Sequence, residues 1–224
     1  MISIIGPDWP SKRALAAAVA GLPGNLRVSW GASAPGAVNG GPRKNATEQL
    51  QAFKDARVAC PEFTTDLRIA KQWVKEGHLV FGRRLEHTQG NDIVGPRHPA
   101  WARRQFWVKV IRDVADEWRV HVFNGRSIAR GHKVQTSPPH RRMPVRNRKN
   151  GWTMEHKTDP PETVREAAKA AVKACGYDFG AVDLMVDQAG KVYVLEVNRA
   201  PGLDDYTASK YAEAIGKAAR RAAA

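Results

Sequence analysis

Two short apolar runs, residues 181–186 and 192–197, joined by Asp187-Gln188-Ala189-Gly190, constrain this chain more than any other feature. The tight-turn sequence makes them the arms of a β-hairpin. Side chains alternate along a strand, so Glu196 and Asn198 share one face, and the turn folds Asp183 back toward them. Val192, Val194, Leu195 and Val197 surround these polar positions, which points to a strand covered on both sides. A carboxylate there needs a partner, and a cation supplies one. Two carboxylates and an amide oxygen are hard ligands of the kind Mg²⁺ takes, with phosphate oxygens and water completing the octahedron. The competing reading is an ordinary hairpin whose polar residues face solvent.

The rest of the chain reads as an antiparallel-rich α+β body with helices on one side. Strands are expected at 2–5 and 26–30, with a helix at 12–20 between them and a Gly- and Pro-rich loop at 31–44. Helices follow at 47–56 and, capped by Asp66, up to Glu76, then a strand at 79–81 and a polar segment at 83–92. Strands at 105–111, 117–123 and 127–134 alternate, the last two joined by Asn124-Gly125. A loop at 135–151 leads to a helix at 162–175, capped near Asp159 and ended by Gly176, and an alanine-rich helix at 208–221 closes the sequence.

With 42% hydrophobic residues and seven Trp, 224 residues carry enough apolar area for a sizeable core. No run is long enough to span a membrane and no secretory leader is visible, so a cytoplasmic location is expected. Cys60 and Cys175 are too few for a disulfide framework. The 36 Lys and Arg against 22 Asp and Glu give a net charge of +14, which calls for anionic partners. Basic residues concentrate between Arg83 and Lys157, densest at Arg141, Arg142, Arg146, Arg148 and Lys149. Nucleotide phosphates with an acidic substrate are favoured over nucleic acid.

Gly180-Ala181-Val182-Asp183-Leu184, followed by Val194-Leu195-Glu196-Val197-Asn198-Arg199-Ala200-Pro201-Gly202-Leu203, resembles the metal-binding end of the ATP-grasp superfamily, especially the ligases that add glutamate to a ribosomal protein. The thirteen-residue step from Asp183 to Glu196 is also similar to that of the D-alanine–D-alanine ligases. Residues 81–90 resemble the family's phosphate-covering loop, with Arg83 where the relatives carry lysine. Residues 107–111 resemble the strand into the adenine hinge, although the family's acidic residue is replaced by Val108 or Lys109. Glu117-Trp118-Arg119-Val120-His121-Val122 resembles the strand whose arginine faces the reaction centre, and Arg146-Asn147 the loop that contacts phosphate or acyl group. An early phosphate-binding lysine of the relatives falls near Ala46, where only Arg43 or Lys44 is at hand.

The resemblance implies an ATP-grasp fold: two α+β lobes enclosing a nucleotide cleft, with a shortened N-terminal unit at 1–44, a small lobe at 45–105 and a C-terminal lobe at 106–224. It implies Mg²⁺, two ions with Mn²⁺ as the alternative metal, on Asp183, Glu196 and Asn198. It places ATP against Arg83, Thr88, Gln89, Gly90, Lys109, Val110, Ile111 and Lys133, with Arg119 and Arg146 as catalytic residues. The implied activity is an ADP-forming carboxylate–amine ligase acting through an acyl phosphate, on a small-molecule, peptide or protein carboxylate and an amine acceptor. The alternatives are a kinase on the same fold and a non-catalytic basic nucleic-acid-binding protein with a decayed nucleotide site.

Overall fold

The computed structural model describes residues 1–85, 92–137, 146 and 150–223. An N-terminal unit pairs β1 (Ile2–Ile5) in parallel with β2 (Leu26–Ser29), with α1 (Pro10–Val19) crossing between them. The helix begins two residues earlier than the composition suggests, because Pro10 suits a first helical position that donates no hydrogen bond.

Next come α2 (Ala46–Asp55), β3 (Phe63–Thr64), α3 (Leu67–Lys75), β4 (Val80–Arg83), a 3₁₀ turn (Trp101–Arg103) and β5 (Phe106–Lys109). Asn45 and Glu48 close a reciprocal capping box on α2, and the Asp66 carboxylate accepts the Arg68 amide of α3, as its position in the sequence suggested. The strands form an antiparallel sheet in the order β3-β5-β4. β3 escaped sequence reading because a two-residue strand has no alternation to detect. β5 lies beyond the expected boundary at 105/106, yet it is the central strand of this small sheet. α2, expected in the small lobe, packs Leu50 and Phe53 into the core of the larger one.

The larger sheet contains β6 (Val114–Phe123), β7 (Arg126–Gln135), β8 (Trp152–Glu155), β9 (Phe179–Asp187) and β10 (Val192–Asn198), antiparallel in the order β10-β9-β6-β7-β8. Positive φ at Asn124 and Gly125 makes the β6–β7 hairpin the tight primed turn expected of Asn-Gly. β8 is a strand that the sequence did not disclose; it pairs Met154 with Lys133 at the far edge. α4 (Glu162–Ala174) starts after Pro161 without a side-chain cap, since Asp159 is instead paired with Arg130 at 2.8 Å. α5 (Asp205–Ala222) is longer than expected, because Asp204 and Thr207 cap it reciprocally three residues before the alanine-rich stretch.

Alternation divides the large sheet cleanly. Trp118, Val120, Val122, Val182 and Leu184 face α4 and form the main core with Val164, Ala168 and Val172. The other face is covered at one end by a second core, in which Phe123 and Phe179 meet Trp30, Tyr211 and Ile215. Helices therefore cover both faces, α4 one and α5 part of the other, which corrects the one-sided arrangement read from the sequence. The uncovered remainder of that second face is the floor of a cleft. Among the described residues no helix is long and apolar enough to cross a membrane.

Candidate active site

The cleft, about 1370 Å³, lies between the exposed part of the large sheet, the small sheet and the N-terminal unit. Its floor is a grid fixed by strand register. β6 aligns Arg119 with Asp183 of β9, and β10 aligns Glu196 with the same Asp183, so three charged side chains form one row across three strands. A bulge at Leu195 between Val194 and Glu196 shifts the β10 register and brings Glu196 opposite Asp183. One row away, Asn198 opposes Ala181, and its amide nitrogen donates to Glu196 Oε1 at 2.9 Å.

Arg119 donates from Nε to Asp183 Oδ1 at 2.7 Å and from Nη2 to Oδ2 at 2.8 Å, a bidentate pair with little solvent access. Burial opposes ionisation of Asp183, but the Arg119 charge and hydrogen bonds more than offset this and hold the carboxyl below the usual carboxylate range. Each Asp183 oxygen accepts one N–H from Arg119 and keeps a second lone pair.

Glu117 stands two residues before Arg119 and therefore on the same face. Its Oε1 pairs with the Lys133 ammonium from β7, while its buried Oε2 has no hydrogen-bond partner. Burial is the main cause that raises its pKa, with Lys133 working against it. Sequence reasoning quoted Glu117 but gave it no role; alternation from Arg119 was the signal that placed it beside the reaction centre. Arg146 reaches the cleft wall with Nη2 donating to Val114 O at 2.7 Å and its guanidinium over Trp152, 4.5 Å from the ring centre.

On the small sheet, Arg83 lines the cleft beside Phe106. Lys109, Val110 and Ile111 also line it, but their roles differ. The Lys109 ammonium is held by Glu62 at 2.8 Å and lies over Trp73. The Lys109 and Val110 amides donate to Glu62 O and Leu79 O, so these two N–H groups are used within the small sheet. Thr88, Gln89, Gly90 and the basic positions 141, 142, 148 and 149 lie outside the described residues.

The residues fit a divalent cation. Asp183, Glu196 and Asn198 offer oxygens on one face, and the unpaired Glu117 Oε2 leaves buried negative character beside them. Among the described residues no three His, Cys, Asp or Glu side chains converge as a metal centre by themselves, so such an ion would lean on the amide and on ligand oxygens.

A family model for an ATP-grasp domain, the third family of its clade, matches residues 65–217, well over half of the chain. The chain belongs to the ATP-grasp superfamily. No curated protein sequence matches it. Its ATP-grasp fold is shared with the ATP-grasp ligase PsnB solved with a minimal precursor, at TM-score 0.61 and 16% identity over 80% of this chain and 63% of that one. It is shared with the D-alanine–D-alanine ligase of Bacillus anthracis, at TM-score 0.59 and 15% identity over 80% and 67%. The macrocyclase MdnC, bound with precursor peptide MdnA from Microcystis aeruginosa MRC, matches at TM-score 0.56 and 14% identity over 79% and 61%. This ATP-grasp chain thus spans less than two thirds of the PsnB and MdnC chains.

Proposed function

We propose that this ATP-grasp chain is an ATP-dependent carboxylate–amine ligase. The observation that carries the reading is the row Arg119–Asp183–Glu196, flanked by Asn198 and by the Lys133–Glu117 pair, on the floor of a cleft large enough for a nucleotide and a substrate. Adenine would lie against residues 109–111, read by carbonyls and by the Ile111 amide, since the two preceding amides are already engaged. Asp183, Glu196 and Asn198 would hold Mg²⁺, which when bound neutralises charge on the transferring phosphoryl group. Arg83 and Lys133 would hold the phosphates, with Thr88, Gln89 and Gly90 covering them.

A substrate carboxylate oxygen attacks the γ-phosphorus, the bond to the bridging oxygen breaks, and its electron pair leaves with ADP. An amine then attacks the acyl carbon, phosphate departs with the C–O bonding pair, and the nitrogen releases a proton to give the amide. Arg119 brings a permanent positive charge to the place where the acyl phosphate is anionic, and it keeps Asp183 ionised. Arg146, fixed against Trp152 and β6, adds charge from the wall. Positioning and charge do this work, so no nucleophilic side chain is needed. A cytoplasmic setting, in which MgATP is plentiful, suits this reading.

The test is product analysis with MgATP and pools of amino acids and peptides as carboxylates and amines. The reading expects ADP and phosphate in equal amounts only when both partner types are present, and a product with the mass of an amide. A product carrying the phosphoryl group on a hydroxyl would overturn it in favour of a kinase.

A further inference from the structure

At the N-terminal wall the cleft is lined by Trp9, Gly31, Arg43, Lys44, Tyr177 and Arg199. None of these carries a role in the mechanism above. Arg199 follows the floor residue Asn198 directly and is 6% exposed. Its guanidinium lies over the Tyr177 ring, 5.0 Å from the centroid, and Nη2 donates to Ala32 O at 3.1 Å and to Asn39 O. Nε and Nη1 are buried with no hydrogen-bond partner.

Two of its three nitrogens are thus unsatisfied. No carboxylate stands against the guanidinium among the described residues: Asp178, the acid that acts on it from a distance, accepts the Asn39 amide instead. Arg43 adds a second positive charge nearby, and burial works against the charge on Arg199. A guanidinium does not shed its proton to relieve such a site. A buried cation without a counter-anion, at the wall of a substrate cleft, is a site for an anion supplied from outside.

We propose that Arg199, Arg43 and Lys44 form an anion subsite that seats a second carboxylate of the substrate, apart from the one that reacts. The planar fork of Arg199 matches a carboxylate, and Trp9 offers an apolar surface beside it for the chain that bears it. The subsite makes the preferred substrate a compound with at least two carboxylates, such as an acidic amino acid or a glutamate-rich peptide. This rests on the ligase reading for its purpose but not for its geometry.

The test compares binding of a short polyglutamate peptide and its polyglutamine counterpart to the full chain by titration calorimetry. The parent is expected to prefer polyglutamate by about tenfold or more, the size of effect that loss of a desolvated charge partner produces. Arg43→Glu with Lys44→Glu should erase that preference. The fold is spared, because Arg43 is exposed and Lys44 meets the Tyr177 hydroxyl through its backbone amide. Reversing the exposed Arg220 and Arg221 at the end of α5 instead should leave the preference intact, which separates a site from the general attraction of a chain of charge +14.

Equal binding of the two peptides, or a preference that survives in the Arg43→Glu, Lys44→Glu variant, overturns the proposal. Loss of the MgATP-induced thermal stabilisation in that variant also overturns it, because the pair would then be serving nucleotide phosphate. A polyglutamate preference that behaves as expected in a chain indifferent to MgATP upholds the subsite and defeats the ligase reading.

Discussion

An Asp183→Ala chain is expected to lose about 3–5 kcal/mol of folding stability, the usual result of removing one partner from a buried ion pair. Arg119 cannot neutralise itself, and its two bonds to Asp183 would be left without acceptors in a place that admits little water. Urea denaturation of parent and variant at neutral pH measures the difference. The double variant Asp183→Leu, Arg119→Met should recover much of the loss, since an apolar pair removes the uncompensated charge. A loss below about 1 kcal/mol would mean that the pair behaves as a solvated one. The pH dependence has a definite sign. The folded-state pKa of Asp183 is depressed, so its contribution is fully present above the unfolded value of about 4 and is lost as pH falls below it.

A second large effect is expected at less acidic pH. His121 lies on the floor face of β6 beneath α5, with Nδ1 3.3 Å from the Tyr211 hydroxyl. Burial, then the Arg119 charge, lowers its pKa to about 3, against smaller opposing pulls from Asp183 and Asp204. The folded protein therefore keeps a neutral imidazole while the unfolded chain binds a proton below about pH 6.5. Stability must fall as pH drops from about 6.5 toward 3, by about 1.4 kcal/mol per pH unit from this residue alone. His121→Gln keeps a polar partner for Tyr211 and does not titrate. Its stability profile between pH 6.5 and 4.5 should be shallower than the parent's by that slope. Parallel profiles would show that His121 is solvated. Glu117, with a raised pKa, acts with the opposite sign, but it is present in both chains and cancels in the comparison.

These two residues show what the sequence could and could not disclose. The Asp183, Glu196 and Asn198 face was legible because a tight turn and strict alternation leave little freedom in where side chains point. The bidentate bond from Arg119 to Asp183 was not, because pairing between β6 and β9 joins residues 64 apart, a relation that no local pattern records. Glu117 was hidden for the same reason: its partner Lys133 and its unpaired oxygen exist only once β7 is in register. β8 was missed because four residues after a polar loop carry too little pattern. The pairing of Lys109 with Glu62 was equally invisible, because Glu62 precedes a strand that is itself too short to foresee. Arg199 looked like part of a motif, and only the fold shows that the loop from the N-terminal unit wraps it.

The central claim is that a carboxylate of β9 and the acid and amide of β10 act together on a metal-bound nucleotide. The most direct measurement is the thermal unfolding midpoint of the parent and of Glu196→Gln, each with ADP alone and with ADP plus Mg²⁺. Ligand that binds only the folded state raises the midpoint by mass action. The account predicts a rise in the parent that requires Mg²⁺ and is absent from Glu196→Gln, whose midpoint without ligand stays close to the parent's. A rise of equal size in both chains, or one indifferent to Mg²⁺, would contradict it.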